Sequence, residues 1–461
     1  MSQRLQTAMT LLSAGRPKKA YQEAKAAIKA APRSPNPYNV AGMALSALGH
    51  HSEATKSFMK AIQIAPGFDT ARRNLAQALI LDGRAEKARQ VLNGILKKDA
   101  SDEASWYLLG QCEMVLGQLR EAEDATSQAI ALAPTVERNR NQRAAIREKR
   151  ANLVGAIEDY KAVLQKNPRN IDALVNISMP LARQLRSDEA LQAVKQAVQL
   201  APDHIAAKHR LGMHFVEAGQ TNDAIDMFRD ILRLDATNGI AMEQLAQLQT
   251  AEQNKPLQGQ VLKALKSAPR KSVERASLLF ALSHIFRKEG DRQAEVDALK
   301  RANAEMSATL PYDHAADKEW AERISNRFPD AIKSNGSTAN GPRPIYVLGL
   351  PRSGTTLAEA ILGAHPAVRP LGERATAGAL LQDTIEQDLP FDAQAQEEFR
   401  KTDAAYRPPL SADHLAYVDK MPENYRLIGF LKQAYPNCKI INMVRDPHDI
   451  ALSMWRGRFS G

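Results

Sequence analysis

The stretch Ile345-Tyr346-Val347-Leu348-Gly349-Leu350-Pro351-Arg352-Ser353-Gly354-Thr355-Thr356-Leu357 decides how the C-terminal part of the chain is read. An apolar, β-prone run ends in Gly349, a Pro/Arg/Ser/Gly turn follows, and residues 355–364 have the composition of a helix. Strand, Gly-bearing loop and helix N-terminus in that order make an anion site. Backbone N–H groups face the ligand, and the helix dipole adds partial positive charge. Gly349 and Gly354 have the spacing of a phosphate-binding loop, but Thr355 stands where a triphosphate-binding loop carries Lys. The expectation is a phosphate cradle serving chemistry other than triphosphate hydrolysis.

The chain around this stretch has 461 residues, enough for two or more domains with real cores. Apolar residues make up 44% and charged residues 25%, an ordinary globular balance. Cys112 and Cys438 lie far apart without metal-ligand spacing, which suggests reduced thiols. The first residues lack a signal-peptide pattern, and no run reaches the roughly 18–20 apolar residues of a membrane span. A cytoplasmic protein without a membrane span is expected. The formal charge is +10, unevenly placed: from Pro344 onward 13 Lys+Arg face 14 Asp+Glu, leaving 49 against 38 in the first 343 residues. Solvated helix faces explain such a surplus, and no nucleic-acid partner is expected from it.

Before the loop, the sequence repeats every 34 residues. Pro32, Pro66, Pro134, Pro168 and Pro202 fall on one lattice, and Gly15, Gly49, Gly83, Gly117 and Gly219 on another. Ala20, Ala54, Ala88, Ala122, Ala156, Ala190 and Ala224 fill a third without a miss. Each period holds two apolar-periodic segments of helical length joined at the Gly, with Pro ending the second. Alanine suits places where two helices approach too closely for a larger side chain. Seven periods are clear over 1–239, and 240–308 reads as degenerate repeats or capping helices. In spacing and residue type this resembles the tetratricopeptide repeat. That resemblance implies an α-solenoid that recruits a protein or peptide, or else a scaffold packed on its own C-terminal domain. Arg143, Arg147 and Arg150 form a stripe expected to be solvated. A helix carrying Trp320 and Ile324, then a small polar linker over 333–342, is expected to divide the array (1–308) from a second domain (344–461), with 309–343 as the junction.

Three elements follow the loop: Gly372-Glu373-Arg374, the strand-like Tyr417-Val418-Asp419-Lys420 with Pro422 behind it, and a second buried strand, residues 439–444. After that strand come Arg445-Asp446-Pro447 and a helix bearing Ser453. Pro447 suits a first helical turn, which puts Arg445 at a strand's carboxyl end, where open α/β sheets bind ligands. Glu373 and Arg374 are candidates for a salt bridge with each other, and Arg445 for one with Asp446. His365 reads as a helix-closing residue and His448 as a helix-start residue.

In this order the motifs resemble sulfotransferases. Pro351 to Leu357 is similar to their 5′-phosphosulfate loop, and Arg445 with Ser453 to their 3′-phosphate motif. Gly372-Glu373 and Asp419-Lys420 are similar to the base-bearing and Lys-bearing segments of tyrosylprotein sulfotransferases. The resemblance implies an α/β, P-loop-like domain with a parallel sheet, fed by 3′-phosphoadenosine-5′-phosphosulfate (PAPS) and needing no metal. It implies that Ser353, Gly354, Thr355 and Thr356 hold the 5′-phosphate and that Arg352 offsets charge on the sulfuryl group. Lys420 would protect the bridging oxygen, Arg445 and Ser453 bind the 3′-phosphate, and Glu373 take the acceptor's proton. Arg456 and Arg458 lie near where a further phosphate-binding Arg is expected. Family members continue past the 3′-phosphate helix, whereas this sequence ends at Gly461, implying a fragment or a shortened domain. Tyrosine is the suggested acceptor; a saccharide or small hydroxyl compound, or an inactive scaffold with a remnant nucleotide domain, is the alternative.

Overall fold

The computed structural model describes residues 3–328 and 341–458. The expected linker over 333–342 lies, apart from Gly341 and Pro342, outside the described residues. The chain packs as two compact units, Met1–Arg150 with Glu158–Lys166, and Ala151–Ile157 with Asn167–Gly461. Among the described residues no helix is long and apolar enough to cross a membrane.

The first unit is a succession of helix pairs: Gln3–Ser13 with Pro17–Ala30, Pro35–Ala47 with His51–Ile64, Asp69–Leu81 with Ala85–Leu96, and Glu103–Val115 with Leu119–Leu132. The lattice alanines Ala20, Ala54, Ala88 and Ala122 are wholly buried, as close helix approach requires. Small and large residues are complementary within a pair. A Cβ added to Gly42 would lie 2.5 Å from the ring of Phe58, so the aromatic of one helix fills the gap left by the glycine of the other. The arginine stripe is not the solvated face expected of it. Arg143 binds Asp159 at 2.6 Å, Arg147 binds Asp159 at 2.9 Å and Glu123 at 2.7 Å, and Arg150 binds Glu123. Asp159 is buried, and a buried carboxylate must be paired, so the arginines on the neighbouring helix turn inward to meet it.

In the second unit the helical pattern runs through Ser187–Leu200, Ile205–Glu217 with Thr221–Leu234, Gly239–Leu248 with Ala251–Ser267, and Val273–Glu289 with Arg292–Thr309. The stretch read as degenerate repeats therefore forms two more helix pairs. Its helices of 17, 17 and 18 residues displace the turn glycine to Gly290 (φ 82°), off the 34-residue lattice. Within the lattice the turn conformation persists where the glycine does not. Positions 15, 49, 83, 117 and 219 are glycines with φ of 67–79°, while the same position is Ala151 (φ 55°) and Leu185 (φ 58°) in the two intervening periods. These two residues hold a left-handed conformation that costs an L side chain about 1–2 kcal/mol.

The second unit ends in a four-stranded, wholly parallel sheet of β1 (Arg343–Gly349), β2 (Val368–Pro370), β3 (Ala416–Asp419) and β4 (Lys439–Met443), ordered β2-β3-β1-β4. The chain lays β2 and β3 on one side of β1, then crosses to place β4 on the other. The carboxyl ends of β1 and β4 therefore form a switch-point crevice. β4 is not the buried strand expected from its sequence: among the described residues it pairs with β1 alone, it is half-exposed, and Val444 after it is 81% exposed. Its apolar run reflects contact on one side only. The core beside the sheet is aromatic, with Phe430 edge-on to Phe328 and Phe391 at 4.9 and 5.3 Å. Trp320, Ile324 and Phe328 of the helix His314–Arg327 and the residue after it pack on this same core.

One buried cluster fixes the loop after β2. Arg374 meets Asp403 of the helix Ala393–Tyr406 at 2.8 Å and Asp419 of β3 at 3.5 Å. All three are nearly inaccessible. Burial pushes the Asp419 carboxyl up to about 7 against the pull of Arg374; for Arg374 the two carboxylates outweigh burial and hold the charge on.

Two stability changes follow from these features. Leu185→Gly should raise the urea midpoint, with a gain of about 0.5–1 kcal/mol, because relief of the left-handed strain exceeds the entropy of the added glycine. A lowered midpoint would show that the turn is unstrained or that the Leu185 side chain contributes more than its partial exposure suggests. Arg374→Met should cost about 3–5 kcal/mol in the same measurement by leaving two carboxylates buried without their cation. A loss under about 1 kcal/mol would contradict the assigned role of the cluster.

Candidate functional site

The anion cradle is built by the close passage of two strands. Gly349 ends β1 at φ 140°, and a Cβ there would lie 2.5 Å from the Met443 carbonyl oxygen of β4, so a side chain is excluded on two counts. The loop then turns through Arg352, a non-glycine residue at φ 69°. Such backbone strain is found where surrounding structure enforces it, characteristically at ligand sites. The helix Thr355–Gly363 begins at Gly354, which offers no side-chain cap, so its first N–H groups remain available to an anion. Ser353 is buried in the cradle, and its hydroxyl oxygen has no hydrogen-bond partner among the described residues. By contrast, Asp446 caps the helix Pro447–Trp455, accepting from the N–H groups of His448 and Asp449. That helix start is already satisfied, and it explains why Arg445 pairs with Asp449, at 3.2 Å, instead of Asp446.

Arg352 and Ser453 are 101 residues apart in sequence and meet directly, the Arg352 Nε donating to the Ser453 hydroxyl at 3.0 Å. Both face a polar cavity of about 490 Å³ that Arg445 also lines. Arg456 and Arg458 line it too, together with Gln247, His284 and Arg287 from the helical part of the same unit. Five residues singled out from the sequence, Arg352, Arg445, Ser453, Arg456 and Arg458, thus share one space. The cradle residues Ser353, Gly354, Thr355 and Thr356 adjoin Arg352 but do not line that cavity.

Glu373 and Lys420 form a separate pair at the carboxyl ends of β2 and β3. Leu371 N donates to Val418 O at 2.9 Å and Lys420 N to Gly372 O at 2.9 Å, continuing the parallel ladder past β2. Glu373 and Lys420 therefore stand side by side, and Lys420 Nζ reaches Glu373 Oε1 at 2.6 Å. The Lys420 side chain is 8% exposed and that of Glu373 is 60% exposed, so the ammonium sits beneath a carboxylate that opens to solvent. The salt bridge considered between Glu373 and Arg374 does not form. Glu373 is held by Lys420, and Arg374 is committed to the buried cluster. His365 accepts from Ala367 N just past its helix, and His448 lies in the first turn of its own, as read from the sequence.

Glu359 was not singled out by any motif. It lies on the loop's helix, one side of which faces Gly372, and its carboxylate accepts the Gly372 N–H at 2.7 Å. Burial raises its proton affinity, opposed by that N–H and by Lys420. Glu359 thus ties the cradle helix to the backbone that carries Glu373. A single glutamate on an otherwise apolar helix face was the only signal available in the sequence.

Comparison with known proteins gives two family matches. Residues 344–460 match the sulfotransferase family, and residues 45–112 match the tetratricopeptide repeat. A Caenorhabditis briggsae protein named "Putative protein-tyrosine sulfotransferase" is 36% identical over 123 residues, covering 25% of this chain and 44% of that protein. An uncharacterized Aquifex aeolicus protein is 27% identical over 293 residues, 59% of this chain and 38% of its own length. The chain thus spans less than half the length of either relative. Among solved structures, that of the APC/C hetero-tetramer Cut9-Hcn1 is similar with a TM-score of 0.44 and 16% identity, over 52% of this chain and 48% of that one. The chain carries tetratricopeptide repeats and, from residue 344 to 460, a domain of the sulfotransferase family.

Proposed function

We propose that the protein transfers a sulfuryl group from PAPS to a hydroxyl of a protein acceptor. In this reading residues 1–308 recruit the acceptor or a partner, 309–343 join the parts, and 344–461 bind the donor. The observation that carries it is the meeting of Arg352, Arg445 and Ser453 in one arginine-lined cavity beside an uncapped helix N-terminus. Such a site suits a ligand with two separated anionic groups, as PAPS has at its 5′ and 3′ ends. The Ser353 hydroxyl, without a hydrogen-bond partner among the described residues, supports the 5′-phosphate position.

The residues divide the chemistry. Ser353, Gly354, Thr355 and Thr356 hold the 5′-phosphate with N–H and hydroxyl donors, and Arg352 offsets charge on the sulfuryl oxygens. Arg445 and Ser453 take the 3′-phosphate. Glu373, exposed at its carboxylate, accepts the proton of the acceptor hydroxyl as the new S–O bond forms. Lys420, buried beneath it, offsets charge on the bridging oxygen as the old S–O bond breaks. The products are a sulfate ester and 3′,5′-bisphosphoadenosine (PAP), with the proton left on Glu373. Tyrosine as acceptor is favoured by the similarity to a protein bearing a protein-tyrosine sulfotransferase name, and the surplus of basic residues before Pro344 suits acidic peptides.

Calorimetric titration with PAP should give micromolar binding that weakens roughly 10- to 100-fold in Arg445→Ala, the loss of charge-assisted bonds to a phosphate. Absence of PAP binding to the folded chain would sink the donor assignment. Glu373→Gln should keep PAP affinity while slowing transfer to a tyrosine peptide by about 10²-fold or more. A rate unchanged by that substitution would remove Glu373 from the mechanism.

A further inference from the structure

The cavity shared by Arg352, Arg445 and Ser453 has a second wall that does not come from the sulfotransferase-family domain. Gln247, His284 and Arg287 lie on the helices Gly239–Leu248 and Val273–Glu289, or just beyond, within the same compact unit. That wall is held in register by specific contacts. Trp455 packs against the apolar core of those helices, and its carbonyl accepts from Asn303 at 2.9 Å. Arg456 pairs with Glu295 at 3.2 Å, and Arg458 donates to Ser277 at 3.0 Å with Glu243 3.8 Å away. The helix that carries Ser453 is therefore fastened to the helical wall just beyond its last turn.

The charges around the cavity are unequal in their commitments. Arg456 and Arg458 face carboxylates outside the cavity lining, and Arg445 shares the exposed Asp449. Arg352 bonds only the neutral Ser453 among these groups. Among the described residues the Arg287 guanidinium makes neither an ion pair nor a hydrogen bond, although the residue's carbonyl accepts the Gly290 N–H. His284 adds no charge at neutral pH: burial, then Lys288 and Arg287, hold it down at about 4, and its Nε2 lies 3.1 Å from the Gln247 amide. The wall thus offers one uncommitted guanidinium, on a neutral polar base, to the space that Arg445 and Ser453 face.

We propose that Arg287 is a third ligand of the donor's 3′-phosphate, so that a helix of the repeat region completes the nucleotide site. This rests on the assignment of the cavity to a 3′-phosphorylated nucleotide. A 3′-phosphate carries three acceptor oxygens, which Arg445, Ser453 and Arg287 can divide, and a guanidinium fork is suited to the share. The site then distinguishes PAP from 5′-AMP through residues of two different folds.

The test is calorimetric titration of the full chain with PAP and with 5′-AMP, which lacks the 3′-phosphate. The expected result is that Arg287→Ala weakens PAP binding roughly 10- to 100-fold and leaves 5′-AMP binding unchanged. Arg287→Lys should recover part of the loss, and Arg292→Ala, an exposed change of equal charge, should alter neither ligand. Equal PAP affinity in wild type and Arg287→Ala, with Arg445→Ala still weakened, would overturn the role of Arg287 and leave the donor assignment standing. Equal loss of both nucleotides in Arg287→Ala would overturn it as well, by pointing to a general disturbance of the wall. If the wild-type chain binds 5′-AMP as tightly as PAP, or binds neither, the assignment of the cavity itself fails.

Discussion

The buried contact of Arg374 with Asp403 and Asp419 is the constraint on which the arrangement at the carboxyl ends of β2 and β3 depends. Arg374 follows Glu373, and Asp419 precedes Lys420, so a buried ion pair and an accessible one alternate across the same two strand ends. A one-residue slip of β2 on β3 would carry Arg374 away from Asp419 and Glu373 away from Lys420. A buried guanidinium and two buried acidic groups that are satisfied together in only one register make that slip costly. The buried set contributes little net stability by itself; its effect is to leave one arrangement in which the Glu373–Lys420 pair can form. Glu359 acts in the same sense from the other side, by holding the Gly372 N–H against the cradle helix.

Much of the helical region was legible because its spacing is repetitive. Seven alanines on one lattice can hardly mean anything but close helix contacts, and those at 20, 54, 88, 122, 156, 190 and 224 are all wholly buried. The turn conformation was legible only through glycine, so Ala151 and Leu185 escaped notice. Backbone geometry imposed by stacked neighbours overrides the preference of the residue that must adopt it. Arg143, Arg147 and Arg150 were misjudged for a related reason. Their spacing along one helix is visible in sequence, but the acids they serve, Glu123 and Asp159, belong to other helices. A charge stripe reads as solvated until its partners are located in space.

The strand–loop–helix turn at Gly349–Thr355 could be read locally because its three parts are contiguous. The union of Arg352 with Ser453 could be anticipated only through resemblance, since the two meet by the crossing of β4 to the far side of β1. β4 itself was misread as buried: an apolar strand at a sheet's edge has the same composition as one inside. Arg287 and Gln247 lay outside every motif, because repeat helices are defined by what they pack against each other and not by what their ends face.

The fastening of the Ser453 helix to the repeat region through Trp455, Arg456 and Arg458 has a thermodynamic corollary. An anion held by both walls of the cavity contributes its binding free energy to keeping those walls together. Linkage is reciprocal, so whatever loosens the helix Val273–Glu289 must release the anion by the same factor, and whatever stiffens it must retain the anion longer. On the proposed function, a protein bound along the last helix pairs would in this way set the cavity's affinity for its anion without touching the anion.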